Sequence, residues 1–370
     1  MNKKILMVAV GMALVAGPML TANAAATLYG RFHMSMDRLD NGSDPSLENG
    51  YISSNTSRFG IKGDEDLGGG LKTIYQVETS FSADEGTGGT LGGRNTFAGF
   101  AGSWGTAKIG RHDTPYKELG NRTNRFIEQV GDARNMYGVG SVCTTTATTT
   151  TTGTYTVCDG RAGFDARPDN MLRYDSPKFE GAQVSVLYSP NNADSWSSTS
   201  TAGDDAGTGG RSLTSISGNW QSGPLFLGLA HETHEKVQAG TGTSDSETGL
   251  RLVGDYALGD LTLGMLYEQV SDMDGDSGVD RTVWGIAAGF KMGNNTLKAH
   301  WFTADDLDCP SSTNCSGTDT SMIALGVDHA FSKTTSVYLN WAKAEAGSST
   351  VVPTVVDVAN GYTGHGESNA

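Results

Sequence analysis

Four arginines, Arg31, Arg58, Arg94 and Arg173, each sit in a short segment where apolar and polar residues alternate. A fifth segment, Phe126-Ile127-Glu128-Gln129-Val130-Gly131-Asp132, falls in a long polar stretch and carries the opposite charge. Guanidinium groups keep their charge at any physiological pH, and carboxylates do so above about pH 4. Successive side chains of a strand point to opposite faces, so one face can meet lipid while the other lines a wet interior. Arginines on the interior face, opposed by loop carboxylates, set up an electric field across a narrow water passage. Such a field sorts solutes by charge and polarity, and it calls for no cofactor.

The chain that must position these groups begins with an export signal. Lys3 and Lys4 precede the mostly apolar run Ile5 to Leu20, and Ala22-Asn23-Ala24 has the small-x-small pattern of a cleavage site. Gly11, Gly17 and Pro18 interrupt that short run, which argues against a membrane anchor. Residues 1–24 are therefore expected to be a cleaved signal peptide, and residues 25–370 the mature domain. Losing the two lysines makes the net charge of −15 two units more negative. Nothing here is basic enough to bind nucleic acid.

Composition then argues for a barrel. Glycine is abundant (51) and proline scarce (9), and only 37% of the chain is hydrophobic, too little for two ordinary globular cores. No later segment has the apolar length of a transmembrane helix. A barrel in lipid needs only an apolar outer face.

Alternation is the main local signal. Leu28, Gly30, Phe32 and Met34 share a face opposite Tyr29, Arg31, His33 and Ser35. Phe59 and Ile61 oppose Arg58, Gly60 and Lys62, and Tyr75 and Val77 oppose Gln76 and Glu78. Leu261/Leu263/Met265/Tyr267, Ile323/Leu325/Val327 and Val337/Leu339/Trp341 repeat the pattern. Very short connections, such as 67–70, 102–105, 258–260 and 293–295, alternate with long polar ones at 37–52, 82–93, 112–169, 190–211, 233–247, 271–280 and 305–319. Tight turns on one rim and large loops on the other give an all-β, up-and-down antiparallel barrel that crosses the outer membrane. About fifteen strands can be counted, starting from the periplasmic side.

Cys143, Cys158, Cys309 and Cys315 lie in the exported part, where an even number suggests disulfides. Local pairing, Cys143 with Cys158 and Cys309 with Cys315, closes two short polar loops. Neither pair has the spacing of a zinc site. The threonine tract Thr144 to Thr152, broken by Ala147, reads as an exposed loop tip.

At this point the chain resembles a known family, the general diffusion porins of Gram-negative outer membranes. The resemblance rests on Leu28-Tyr29-Gly30-Arg31, the run Ser57-Arg58-Phe59-Gly60-Ile61-Lys62-Gly63-Asp64-Glu65-Asp66-Leu67-Gly68, Arg94-Asn95-Thr96-Phe97-Ala98-Gly99, Gly105 to Arg111, and Asn170-Met171-Leu172-Arg173-Tyr174. It implies a barrel of about 16 strands with the long third loop folded into the lumen, usually as a homotrimer among outer-membrane lipid and lipopolysaccharide. It also implies passive diffusion of small hydrophilic solutes and ions. By the same resemblance, Arg31, Arg58, Arg94 and Arg173 match the basic wall of the constriction. Glu128 and Asp132 match its acidic loop, and Glu78 matches a wall glutamate nearby. The acidic net charge suggests a mild cation preference.

Family members end in a strand with a terminal aromatic residue, whereas this chain ends Gly361-Tyr362-Thr363-Gly364-His365-Gly366-Glu367-Ser368-Asn369-Ala370. An open edge in lipid is costly, so the closing strand is expected to lie outside this sequence, or else residues 350–358 must serve.

Three weaker signals have bland readings. His231-Glu232-Thr233-His234-Glu235 is not H-E-x-x-H and reads as a solvated strand end. Around Asp272, Asp274, Asp276 and Asp280 the glycine of a calcium loop is misplaced and no glutamate closes it, so the segment reads as a solvated acidic loop, with loose divalent-cation binding as the alternative. Tyr267, Tyr338, Trp301 and Trp341 are candidates for interface aromatics. Other classes stay open. A barrel enzyme would need a nucleophile beside a base, and none stands out. An adhesin or receptor would act through its loops, and a substrate-specific porin would share the architecture.

Overall fold

Strands form where the two-residue alternation runs unbroken, and turns form where glycine interrupts it. The computed structural model describes residues 26–38, 50–138, 163–190, 212–238, 244–275, 277–310 and 315–346. Before the long loop come β1 (Thr27–Arg31), β2 (Met34–Asp37), β3 (Tyr51–Ser54), β4 (Arg58–Gly68), β5 (Leu71–Ser82), the two-residue β6 (Thr87–Gly88), β7 (Thr96–Gly102) and β8 (Gly105–Arg111). The described part of the loop carries the short helix α1 (Pro115–Gly120) and a 3-10 turn at Ala133–Asn135. After it come β9 (Met171–Asp175), β10 (Ala182–Ser189), β11 (Ser212–Ser222), β12 (Leu225–Gln238), β13 (Ser244–Leu258) and β14 (Leu261–Ser271). The last four are β15 (Arg281–Met292), β16 (Asn295–Ala304), β17 (Thr320–Ala330) and β18 (Ser336–Ala346).

Fifteen strands pair antiparallel in the order β1-β4-β5-β7-β8, then consecutively from β9 to β18, with β6 hanging on β5. β2 and β3 pair separately with each other. The sheet curls until its edges approach. His33 Nε2 and the Tyr338 hydroxyl are 3.0 Å apart, and Asn55 Nδ2 donates to the same hydroxyl at 3.3 Å. Among the described residues no backbone ladder joins β1 to β18. Residues 350–358, the expected substitute for a closing strand, lie outside the described residues, as do the signal segment, Cys143, Cys158 and the threonine tract.

The burial pattern is that of a membrane barrel, with large apolar side chains outside. On β14 the outward Leu263 and Met265 are 46% and 59% exposed, whereas the inward Leu266 and Glu268 are buried. Trp301 and Trp341 also face outward, but Tyr338 turns inward to the β1 edge, so it is not an interface aromatic. Two-residue turns on one rim hold the hairpins together. Gly259 and Gly293 take φ of +60° and +59° in two of them, a region closed to most L residues.

Three expectations about elements need correction. Arg94 is not on a strand but in the turn before β7. The expected loop 233–247 is mostly strand, since β12 runs to Gln238 and β13 starts at Ser244. The His231–Glu235 segment therefore lies within β12, and its Glu232 and His234 are buried rather than solvated. Strand pairing extends as long as the neighbouring ladder does, which polar composition alone cannot report.

The acidic loop after β14 is also partly folded inward, with Met273 buried in the interior cluster. Asp272 accepts from Gly278 N at 2.7 Å, and its own N–H reaches Asp280. The side chains of Asp274 and Asp276 lie outside the described residues. Cys309 and Cys315 form a disulfide, and both pack against the same cluster.

Candidate functional site

The long loop leaves β8 at Arg111 and turns into the barrel. Its first anchor is Asp113, which accepts from Asn95 Nδ2 at 3.0 Å and pairs with Arg167 at 3.0 Å and Lys117 at 3.1 Å. Burial opposes a charge there, but Arg167 and Lys117 outweigh it and hold the carboxyl well below its usual pKa. α1 follows because Thr114 caps it, its hydroxyl accepting from Lys117 N at 3.1 Å, and Pro115 presets the first helical φ.

The helix packs on the wall through Tyr116. Its hydroxyl donates to Glu268 at 2.9 Å, and Arg251 Nη1 donates to its carbonyl at 2.8 Å. Arg251 lies over the rings of Tyr116 and Tyr137 at 4.0 and 4.7 Å and forms a fully buried ion pair with Glu268. Burial, joined by the Glu268 carboxylate, holds the Tyr116 phenol protonated well above its usual pKa. Gly138 N also donates to Glu268, at 2.8 Å. One carboxylate thus ties both ends of the inserted segment to β14.

Around this tie is an apolar core inside the barrel. Tyr116, Met136, Tyr137 and Phe164 of the loop pack with Val253, Leu266, Phe302 and Met322 of the wall. Gly249 leaves the room, since a Cβ there would fall 2.6 Å from the Phe164 ring and 2.8 Å from the Tyr116 hydroxyl. Phe164 stacks on His234 at 4.4 Å, and that imidazole bridges Glu247 at 2.7 Å and Glu232 at 2.8 Å. Each ring nitrogen thus has a carboxylate oxygen within hydrogen-bond distance. Part of the lumen expected to be wet is therefore filled by protein.

Farther along, the loop crosses the wall toward the β1–β18 seam. Arg125 pairs with Asp255 at 2.6 Å, and Phe126 meets the His300 ring at 4.7 Å. Gln129 accepts from Lys298 and from Asn340, the latter at 2.9 Å. Glu128 is the outermost contact, with Arg31 Nη1 at 2.6 Å and Arg58 Nη1 at 2.8 Å. Its φ of +58° is strained for a residue with a Cβ, of order 1 kcal/mol or more. The two guanidinium groups, and the Glu128 N–H donating to Asp132 at 2.6 Å, hold it in place.

The seven residues singled out by sequence separate into four groups. Arg31 and Arg58 do meet Glu128, but by direct contact instead of across a water gap. Arg94 pairs with Glu78 at 2.6 Å, both buried in the wall, and Tyr29 also donates to Glu78 at 2.8 Å. Arg173 pairs with Glu118 at 2.6 Å and with Asp175 at 2.8 Å, far along the loop from Glu128. Asp132 departs most from expectation. It caps the turn Ala133–Asn135 and accepts from Asn124 and Arg134, so its charge is spent within the loop. A carboxylate two residues before a backbone N–H of a tight turn is drawn to cap it.

Sequence reading missed Glu118, Arg122, Arg125, Asp255, Arg251 and Glu268. Arg251 and Glu268 were findable, because both sit at inward positions and face each other directly in the β13–β14 register. A cavity of about 590 Å³ remains between α1 and the inner faces of β8 to β12, lined by Glu118, Asn121, Arg122, Arg173 and Asp175 among others. Arg173 is held there by His112 as well, whose Nδ1 accepts from it at 3.0 Å. Burial, then the Arg173 charge, lowers the His112 pKa, so the ring is neutral.

A family model described as "Gram-negative porin" matches residues 8–348. A major outer membrane protein P.IB of Neisseria meningitidis serogroup B is 27% identical over 314 residues, 80% of each chain. A P.IB protein of Neisseria gonorrhoeae is 27% identical over 367 residues, 90% of this chain and 93% of the relative. Among solved structures, the anion-selective porin from Comamonas acidovorans superposes with a TM-score of 0.67 at 18% identity, covering 88% and 90% of the two chains. The trimer form of OmpT from Vibrio cholerae superposes with a TM-score of 0.61 at 16% identity, over 87% and 89%. At these identities the structural likeness is one of fold.

Proposed function

Since the chain belongs to the Gram-negative porin family of outer-membrane β-barrels, we propose that it passes small hydrophilic solutes and ions by diffusion through a constriction built on the inserted loop. One observation carries the reading. The loop lies inside the barrel, tied at Glu268 and at Glu128, and leaves a polar cavity beside α1. A solute in such a passage keeps most of its water, so the barrier is low, and the loop limits size.

In this reading residues 1–24 are removed on export and residues 25–370 form the barrel. The wall arginines Arg31, Arg58, Arg94 and Arg173 and the carboxylates Glu78, Glu128 and Asp132 shape the constriction. Arg31, Arg58 and Arg173 act by fixing the loop through Glu128 and Glu118, Asp132 acts from within it, and Arg94 and Glu78 pair in the wall beside it. Three copies assemble amid lipid and lipopolysaccharide. The OmpT neighbour, described in a trimer form, supports that assembly.

Ionic preference has two readings. The acidic balance of the chain favours cations, and a mild cation preference is the reading tied to net charge. The pairing favours the other. Arg31 and Arg58 share Glu128, and Arg122 and Arg125 share Asp255, so guanidinium outnumbers carboxylate at these two contacts. Exposed charges beyond about 8 Å are screened at physiological salt, which gives this local set more weight. The fold neighbour described as anion-selective supports the second reading.

Planar-bilayer recording tests both levels. Stepwise conductance supports the channel, and its absence from correctly folded protein refutes it. The sign of the reversal potential in a salt gradient then separates cation from anion preference.

A further inference from the structure

Glu118 and Arg122 are four residues apart along α1 and the turn that ends it. Opposite charges at this spacing on a helix ordinarily meet. Here each reaches elsewhere. Glu118 takes Arg173 at 2.6 Å, while Arg122 reaches Gln221 at 3.3 Å and Asp255 at 3.8 Å. Their side chains remain 41% and 44% exposed, and both line the same cavity. The Phe226 ring supports the Arg122 guanidinium at 4.5 Å, which fixes its position without using its hydrogen bonds.

The rest of the lining is neutral or already paired. Asp175 is held between Arg173 and Lys108, at 2.8 and 3.0 Å. Ser185, Ser217 and Asn219 present uncharged donors and acceptors across the cavity. Between Glu118 and Arg122 lies Asn121, whose Oδ1 is buried and has no hydrogen-bond partner among the described residues. The alcove thus offers one accessible negative group and one accessible positive group.

We propose that this alcove is a transit site for small zwitterionic solutes of the α-amino acid class, with Glu118 receiving the ammonium and Arg122 the carboxylate. The proposal rests on the channel reading above and names the solute class of that same passage. A zwitterion satisfies both groups at once. An ion of a single sign meets one partner and one like charge, and a neutral polyol gains hydrogen bonds without a charge contact. Charges in a wet passage attract only weakly, so occupancy is brief and suits transit rather than storage.

The test is tracer release from vesicles holding the full-length protein, with L-serine as the zwitterion and erythritol as the neutral reference. Serine release is expected to exceed erythritol release and to saturate. Excess glycine should compete with serine, whereas excess lactate should not, and this needs no variant. Arg122→Gln should lower the serine-to-erythritol ratio about fivefold, equivalent to about 1 kcal/mol, and Arg122→Lys should keep most of it. Release of both solutes at a ratio that neither glycine nor Arg122→Gln alters would overturn the site while leaving the channel standing. Release of neither from folded protein would overturn the channel, and the site with it.

Discussion

Arg31 Nη1 lies 2.6 Å from Glu128 Oε2, though the two residues are 97 positions apart in the chain. The contact joins the first barrel strand to the far reach of the inserted loop. With Arg58 it makes Glu128 a clasp between loop and wall, and the left-handed backbone at Glu128 is the strain that the clasp sustains.

Glu128→Gln should loosen that clasp. Two charge-assisted contacts are lost, a weakening of about 1–3 kcal/mol in loop anchoring, discounted because Arg31 is partly exposed. Single-channel conductance and its open-state noise should both rise. Recordings indistinguishable from the unaltered protein would show that Glu128 does not hold the loop.

Arg251 and Glu268 should matter more for stability. Both are fully buried, and removing one leaves the other uncompensated, at about 3–5 kcal/mol. Arg251→Met alone is expected to lower the unfolding midpoint in detergent sharply. Adding Glu268→Leu to it should recover part of the loss, and additive losses would contradict the pairing.

Gly249 tests the interior core without touching a charge. A valine there would strike Phe164 and the Tyr116 hydroxyl, so the loop must shift. We expect faster protease cleavage within the loop while the strands stay folded by circular dichroism. Unchanged cleavage would mean the core tolerates the added bulk.

His112 predicts an acid-side dependence. Its folded pKa lies below the ordinary 6.5, first through burial and then through Arg173. A depressed pKa gives stability that is full above 6.5 and falls as the pH drops toward the folded value. The melting temperature should therefore decline as the pH falls below about 6.5, and His112→Gln should flatten that decline. Equal slopes for both proteins would remove His112 as the cause.

Much of the barrel was legible because strand alternation is local. Leu263 and Met265 face out and Glu268 faces in from backbone geometry alone, and turns such as the one at Gly259 are marked by residue type. Arg94 shows the limit, since it follows the turn closed by Gly93 N and the Thr90 carbonyl, although its own N–H still reaches the Glu78 carbonyl of β5. The His231–Glu235 segment shows it again, because burial of Glu232 and His234 depends on Phe164 arriving from the loop.

The residues alone thus determined the strand faces, the order of turns and loops, and which side chains look inward. Only tertiary structure decided which arginine meets which carboxylate, that Asp132 caps its own turn, and that aromatic side chains fill part of the lumen. The physical reason is range. Facing follows from a two-residue period, whereas partners depend on register across fifteen strands and on the path of one long loop.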